Sequence, residues 1–290
     1  MKINVDLAKS LQLTPVYRPY NQHHSILYSL ACNANINHNL NLLWEEHPDY
    51  QTCPLLLTAL GMQSFSMHQT PGIECDINDI LHHEQYIEVF EDLPESSELR
   101  QEVKIADVID KKNAAIVIRN VTAYDNVTNK KLAFMQFSLY QKNCGGFGGP
   151  KHSSLEVPLE RIPKHLQIDS IITVKNDVNQ AALFRQCNAD TFPLHIDPQA
   201  AKEQGYKAPI LHGLCTLGIS VQAIVNRYLN GNWRQFKSMK CRFTAAVIPG
   251  QTLVIKVYKD GNKLRFEAFV DNNVKVISSA YITLKEAFKL

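Results

Sequence analysis

Asp190 and His195 stand five residues apart in the run Asn188-Ala189-Asp190-Thr191-Phe192-Pro193-Leu194-His195, which puts a carboxylate and an imidazole on one short turn. Two such groups within reach of a single water can take a proton from it and hand a proton to a neighbouring atom. Further on, His212-Gly213 precedes a long apolar run. The pair therefore opens a helix whose first N–H groups lack intrahelical acceptors and can face a developing negative charge. Acid, base and oxyanion donor this close along the chain point to addition of water to, or its removal from, a carbonyl-conjugated substrate. Taken singly, Asp190 reads as a helix cap and His195 as a satisfied buried histidine. Their joint spacing with His212-Gly213 favours chemistry.

Other polar residues have plainer explanations. His195, Asp197 and His212 are metal-ligand types, but Asp197-Pro198 reads as the cap and first turn of a helix, so no metal is expected. His82 and His83 are adjacent on a strand and should point to opposite faces, which makes a poor metal pair. Cys215 falls inside an apolar helix, where a packed thiol is the expectation.

The elements that position these groups come in two similar sets. Residues 103–108, 114–121 and 132–140 read as three antiparallel strands, and 252–258, 264–270 and 274–284 repeat the plan. Period-two alternation is clear in Leu264, Phe266, Ala268 and Val270, so each sheet has one buried face. Residues 179–185, 198–203 and 214–228 read as helices, the last apolar nearly all round and hence buried. The Gly-rich run 143–150 looks like a linker, because no Gly-Lys-Ser/Thr follows to make it a phosphate loop. The expected architecture is α+β: a double hot-dog, two curved antiparallel sheets each wrapped round a central helix and merging into one. Residues 1–150 form a first half that shapes the substrate tunnel, and 151–290 a second half that carries the Asp/His element.

The 290 residues are 45% apolar, with a net charge of +2, enough for a core and too balanced for a global field toward nucleic acid. No apolar run approaches membrane-spanning length, so neither nucleic acid nor membrane insertion is expected. Seven cysteines without a Cys-x-x-Cys pair read as free thiols in a reducing compartment. The terminal Phe288-Lys289-Leu290 resembles a Ser-Lys-Leu peroxisomal address, although Phe288 is bulky for it; the expected location is the peroxisome, otherwise the cytoplasm.

Ala181-Ala182-Leu183-Phe184-Arg185, the stretches 190–198 and 209–215, and Phe243 with Pro249-Gly250-Gln251-Thr252-Leu253 together resemble the R-specific 2-enoyl-CoA hydratases. These are the hydratase 2 enzymes of the MaoC-like hot-dog superfamily, including the hydratase segments of peroxisomal multifunctional enzymes of type 2. The first half is similar more loosely, through the stretches 81–86, 106–111 and 145–149. The resemblance implies a stand-alone hydratase that reversibly hydrates trans-2-enoyl-CoA to (3R)-3-hydroxyacyl-CoA in fatty-acid β-oxidation. It implies no cofactor, the CoA thioester being the substrate, and a homodimer. By position, Asp190 and His195 match the family's catalytic pair, expected as base and acid, and Gly213 the glycine whose N–H faces the thioester oxygen. His82 and Lys111 match positions that contact the acyl-CoA, and Phe243 a residue of the ligand site. Lining roles are expected for His83, Ala189, Thr191, Phe192, Pro193, Leu194 and His212, and contacts with the CoA phosphates for Lys240 and Arg242.

The family pattern is Gly-Asp-x-Asn-Pro-x-His, and here Ala189 and Phe192 replace the glycine and asparagine, while His83 stands at a usual glycine. Loss of the asparagine amide is expected to cost on the order of 1–3 kcal/mol, roughly ten- to a hundredfold in rate. A catalytically impaired acyl-CoA-binding or scaffold protein, and a 3-hydroxyacyl-thioester dehydratase, are the competing functions.

Overall fold

The computed structural model describes residues 3–64, 70–188, 190, 192–271 and 273–287. The chain order is α1 (Val5–Ser10), β1 (Val16–Tyr20), α2 (Gln22–Ala31), α3 (Leu40–Leu43), α4 (Leu56–Met62), β2 (Ile80–Val89), β3 (Ser97–Asp110), β4 (Ala114–Asp125) and β5 (Lys131–Lys142). The second half continues with β6 (Ser170–Lys175), α5 (Gln180–Asn188), α6 (Pro198–Glu203), α7 (Gly213–Leu229), β7 (Phe236–Phe243), β8 (Thr252–Asp260), β9 (Lys263–Val270) and β10 (Val274–Leu284).

All ten strands form one antiparallel sheet in the order β1-β3-β4-β5-β2-β7-β10-β9-β8-β6. The two halves join where β2 pairs with β7, in the register Gln85↔Cys241 and Tyr86↔Lys240. Alternate residues of these strands, such as Met135 and Phe137 of β5 or Leu264 and Phe266 of β9, face helices α2, α4, α5 and α7 in one continuous core. The seventeen-residue α7 is buried on nearly every side. It passes so near α2 that a Cβ on Gly218 would lie within 3.3 Å of both Cys32 and the Tyr28 hydroxyl. Among the described residues the first half has no helix of that length: its counterpart, α4, is seven residues, six of them buried. The fold is a double hot-dog merged into one sheet, as the sequence leads one to expect.

The intervening residues cross the other face. Gln136 Nε2 donates to the Leu155 carbonyl at 2.9 Å, Val157 N–H donates to Gln136 Oε1 at 2.7 Å, and Glu160 pairs with Lys263 and Arg265 of β9. The Gly-rich run turns its N–H groups inward, from Gly146 and Gly148 to the Asp110 carboxylate, both at 2.9 Å. The donors that a phosphate would need are thus committed to a side chain of the same protein. Cys144 of this run is disulfide-bonded to Cys75, which departs from the expectation that all seven thiols are free; the other five cysteines are free and buried. Among the described residues no helix is long and apolar enough to cross a membrane.

Candidate active site

His195 closes a single 3₁₀ turn, Pro193–His195, directly after Phe192. Its Nδ1 lies 2.8 Å from the Ile210 carbonyl oxygen. A carbonyl can only accept, so Nδ1 carries the proton and the neutral ring presents a bare lone pair at Nε2. That Nε2 is 3.8 Å from Asp190 Oδ2, and His212 Nε2 is 4.0 Å from the same oxygen. Asp190 Oδ1 accepts the Phe192 N–H at 3.0 Å, so the main chain orients the carboxylate. The Phe192 ring packs against the apolar cluster of Leu194, Ala201 and Ile210.

Burial holds the His195 imidazole below its usual value, against the pull of the Asp190 carboxylate and the Ile210 carbonyl. Burial pushes His212 well down, and His195 and Arg185 add to the effect. Both rings are therefore neutral near pH 7. This changes the expected division of labour: a neutral His195 with its proton on Nδ1 meets a water as an acceptor at Nε2, and becomes an acid only after taking a proton.

The polar atoms of Asp190, His195 and His212 all lie within 4.8 Å of one another, a set whose residue types suit a metal. The ring geometry suits water better. The two imidazoles are stacked, with centroids 3.7 Å apart and planes 21° from parallel. An ion midway between them at about 2.1 Å from each nitrogen would sit about 60° out of the ring planes that hold the lone pairs. A water at about 2.8 Å sits only about 40° out, which a hydrogen bond tolerates. Asp197, the acidic residue first considered for such a set, instead caps α6 by accepting the Gln199 N–H at 2.8 Å.

These groups open onto a cavity of about 680 Å³ walled by both halves. From the first half come Met62, Ile77, Ile80, Leu81, His82, His83 and Tyr140, and from the second Phe192, Leu194, Tyr206, Gly213 and Phe243. His82 and His83 both line it, at the point where the β2–β5 register slips between His82 and Glu84, with His82 against Phe137 and His83 against Tyr140. The His82 ring lies edge-on to Phe243 at 5.0 Å, and burial pushes it down to about 3. Gly213 begins α7, whose N-terminus no side chain caps. A Cβ there would press on the Phe243 ring at 3.3 Å. Uncapped N–H groups and the helix dipole both favour an anion at this point of the wall.

Not every expected residue comes to the cavity. Lys111 is exposed outside it and donates to the Lys151 carbonyl at 2.8 Å. Lys240 is fully buried, with Nζ 2.7 Å from Glu84 Oε2, so it is not free for a CoA phosphate. Arg242 does line the cavity, and its Nε donates to Glu84 Oε1 at 2.9 Å. Burial alone would raise the Glu84 carboxyl, but Lys240 and Arg242 hold it below the usual range. Sequence reasoning gave Glu84 no role. The signal available was a basic pair two apart on β7 flanked by buried apolar residues, which demands an acidic residue across the strand. Pro193 is the first residue of the His195 turn. Ala189 and Thr191 lie outside the described residues.

An Asp–His site on the wall of a cavity shared by two merged hot-dog halves defines a class, and comparison with known proteins places the chain within it. A model of the MaoC like domain matches residues 159–280, and one of the MFE-2 hydratase 2 N-terminal domain matches residues 19–143. Peroxisomal multifunctional enzyme type 2 of Drosophila melanogaster is 36% identical over 278 residues, covering 92% of this chain and 46% of that protein. The chain thus spans about half the length of that relative. The full-length Drosophila structure superposes with a TM-score of 0.82 at 34% identity, over 94% of this chain and 48% of the other. Enoyl-CoA hydratase ChsH3 of Mycobacterium tuberculosis is 33% identical, over 91% of this chain and 92% of its own. A MaoC-like dehydratase from Phytophthora capsici superposes with a TM-score of 0.86 at 25% identity, over 98% and 99% of the two chains. The chain belongs to the hydratase 2 family of MaoC-like double hot-dog proteins.

Proposed function

We propose that the protein reversibly hydrates trans-2-enoyl-CoA to (3R)-3-hydroxyacyl-CoA in fatty-acid β-oxidation. The observation that carries this is the Asp190–His195 pair, its facing atoms 3.8 Å apart on a mainly apolar cavity whose wall includes the uncapped start of α7.

In a 2-enoyl thioester C3 is electrophilic because the double bond is conjugated to the carbonyl. A lone pair of the water forms the C3–O bond while the π pair of C2=C3 shifts into the thioester. The negative charge gathers on the thioester oxygen, where the Gly213 N–H and the α7 dipole stabilise it; a donor so placed is typically worth roughly 3–4 kcal/mol in the transition state. The water's proton passes to the Asp190–His195 pair, entering at the free Nε2 of neutral His195 or the carboxylate. The same pair returns one proton to C2, so the enzyme ends as it began. Both transfers from one side of the substrate give syn addition. The chain's own residues supply every proton transfer in this scheme, and the (3R) outcome rests on family membership.

Acyl-CoA as substrate draws on the same membership, and a homodimer is part of the same proposal. A peroxisomal location draws on relatives named as peroxisomal, including the Drosophila enzyme and the Arabidopsis thaliana enoyl-CoA hydratase 2. The Phe288-Lys289-Leu290 address lies outside the described residues. The purified protein supplied with trans-2-enoyl-CoAs of several chain lengths should consume the conjugated thioester and yield a (3R) alcohol. A (3S) product would discard the mechanism, and binding without turnover would leave an acyl-CoA-binding protein.

A further inference from the structure

We infer that the side chain of His212 is the third ligand of the reacting water, donating its Nε2–H to the water oxygen while Asp190 and His195 accept the two water protons. This rests on the hydratase reading and adds a residue to it.

His212 is 3% exposed, and neither ring nitrogen has a hydrogen-bond partner among the described residues. A buried polar ring with both nitrogens unpaired is costly, and on a cavity wall it calls for a partner that arrives with solvent or substrate. The ring has no capping role at the start of α7, where it makes no hydrogen bond to the helix. It is fixed instead between two rings, stacked on His195 at 3.7 Å and tilted against Phe184 at 5.3 Å. That clamp directs Nε2 to the cavity wall, 4.0 Å from Asp190 Oδ2. The nearby carboxylate favours the neutral ring's proton on Nε2 rather than Nδ1.

Three polar atoms then surround one water with matched roles. Asp190 Oδ2 accepts, His195 Nε2 accepts because Nδ1–H is held by the Ile210 carbonyl, and His212 Nε2 donates. Two atoms 3.8 Å apart, each about 2.8 Å from a water, subtend about 85° at its oxygen. With both protons and one lone pair engaged, a single lone pair is left, and it is the one that attacks C3. A water held by Asp190 and His195 alone would keep two free lone pairs, with no donor to draw its oxygen to one place between them. The family asparagine is replaced here by Phe192, whose ring lies in the apolar cluster, so the donor from His212 matters more.

The test compares His212→Phe, which keeps an aromatic ring in the stack but has no donor, with His212→Gln, which restores an N–H. Hydration of a trans-2-enoyl-CoA is followed together with the melting temperature. His212→Phe should lose roughly 10- to 100-fold in kcat with KM within about threefold, and His212→Gln should recover about tenfold of that loss. A folded His212→Phe at the wild-type kcat, or an equal loss in both variants, overturns the inference and leaves the hydratase reading intact. No turnover by the wild type on any enoyl-CoA overturns the hydratase reading and this inference with it. If His212→Phe does not fold, a high-resolution crystal structure of the wild type decides. A water within about 3.2 Å of all three atoms upholds the role, and an ordered site without one refutes it.

Discussion

Acid should destabilise this protein well above the pH at which carboxylates titrate, because the cavity wall stores neutral histidines. His82, His83, His195 and His212 are each held below the ordinary imidazole value, chiefly by burial, with His82 at about 3. In the unfolded chain the same rings titrate near 6.5, so between that value and their folded values the unfolded state binds more protons. Stability therefore rises with pH through this window and is lost as pH falls below about 6.5. At pH 5.5 one imidazole kept fully neutral costs about 1.4 kcal/mol relative to pH 8, and four cost up to about 6 kcal/mol. That is a large share of a typical 5–15 kcal/mol. The carboxylates held low, Glu84 and Glu160 among them, contribute in the same direction only below their unfolded values near 4.5, outside this window. Urea unfolding at about pH 8, 6.5 and 5.5 measures the loss, and His82→Phe should remove about a quarter of it. A stability flat between pH 8 and 5.5 would refute the burial of these rings as neutral groups.

Three further outcomes follow from the site. Gly213→Ala sets a Cβ against Phe243 at 3.3 Å, so the oxyanion N–H shifts and kcat should fall on the order of 10- to 100-fold while the melting temperature barely moves; an unchanged kcat would remove Gly213 from the mechanism. The kcat/KM for hydration should fall as pH drops through the His195 value below 6.5, since the accepting form is neutral; a rate that climbs on acidification would contradict that role. Glu84→Gln leaves the buried Lys240 ammonium without its counter-charge and should cost about 3–5 kcal/mol in urea unfolding, with Lys240→Met added to it restoring most of the loss.

Much of the second half was legible because its residues repeat with the period of their elements. Leu264, Phe266, Ala268 and Val270 alternate and form β9, and Pro198 opens α6 at the expected position. The Asp190–His195 proximity was legible because one turn enforces it. Features set by contacts distant in sequence were not. The β2–β7 seam joins residues more than 150 apart, as in Tyr86↔Lys240, and no local pattern announces it. Six of the seven residues of α4 are buried, so it has no polar stripe to reveal a helical period. The Cys75–Cys144 bond joins cysteines 69 residues apart, a spacing that carries no signal. His83 lines the cavity at a register slip, a property of paired strands rather than of either strand alone. Lys111 shows the converse: a matching position whose side chain the turn directs to the Lys151 carbonyl.

The most direct test of the account pairs turnover with binding in two variants. Asp190→Asn and His195→Gln should each bind acyl-CoA within a few-fold of the wild type. Each should hydrate trans-2-enoyl-CoA slower by on the order of 10²–10⁴. Either variant turning over at the wild-type rate would contradict the shared-water mechanism at its centre.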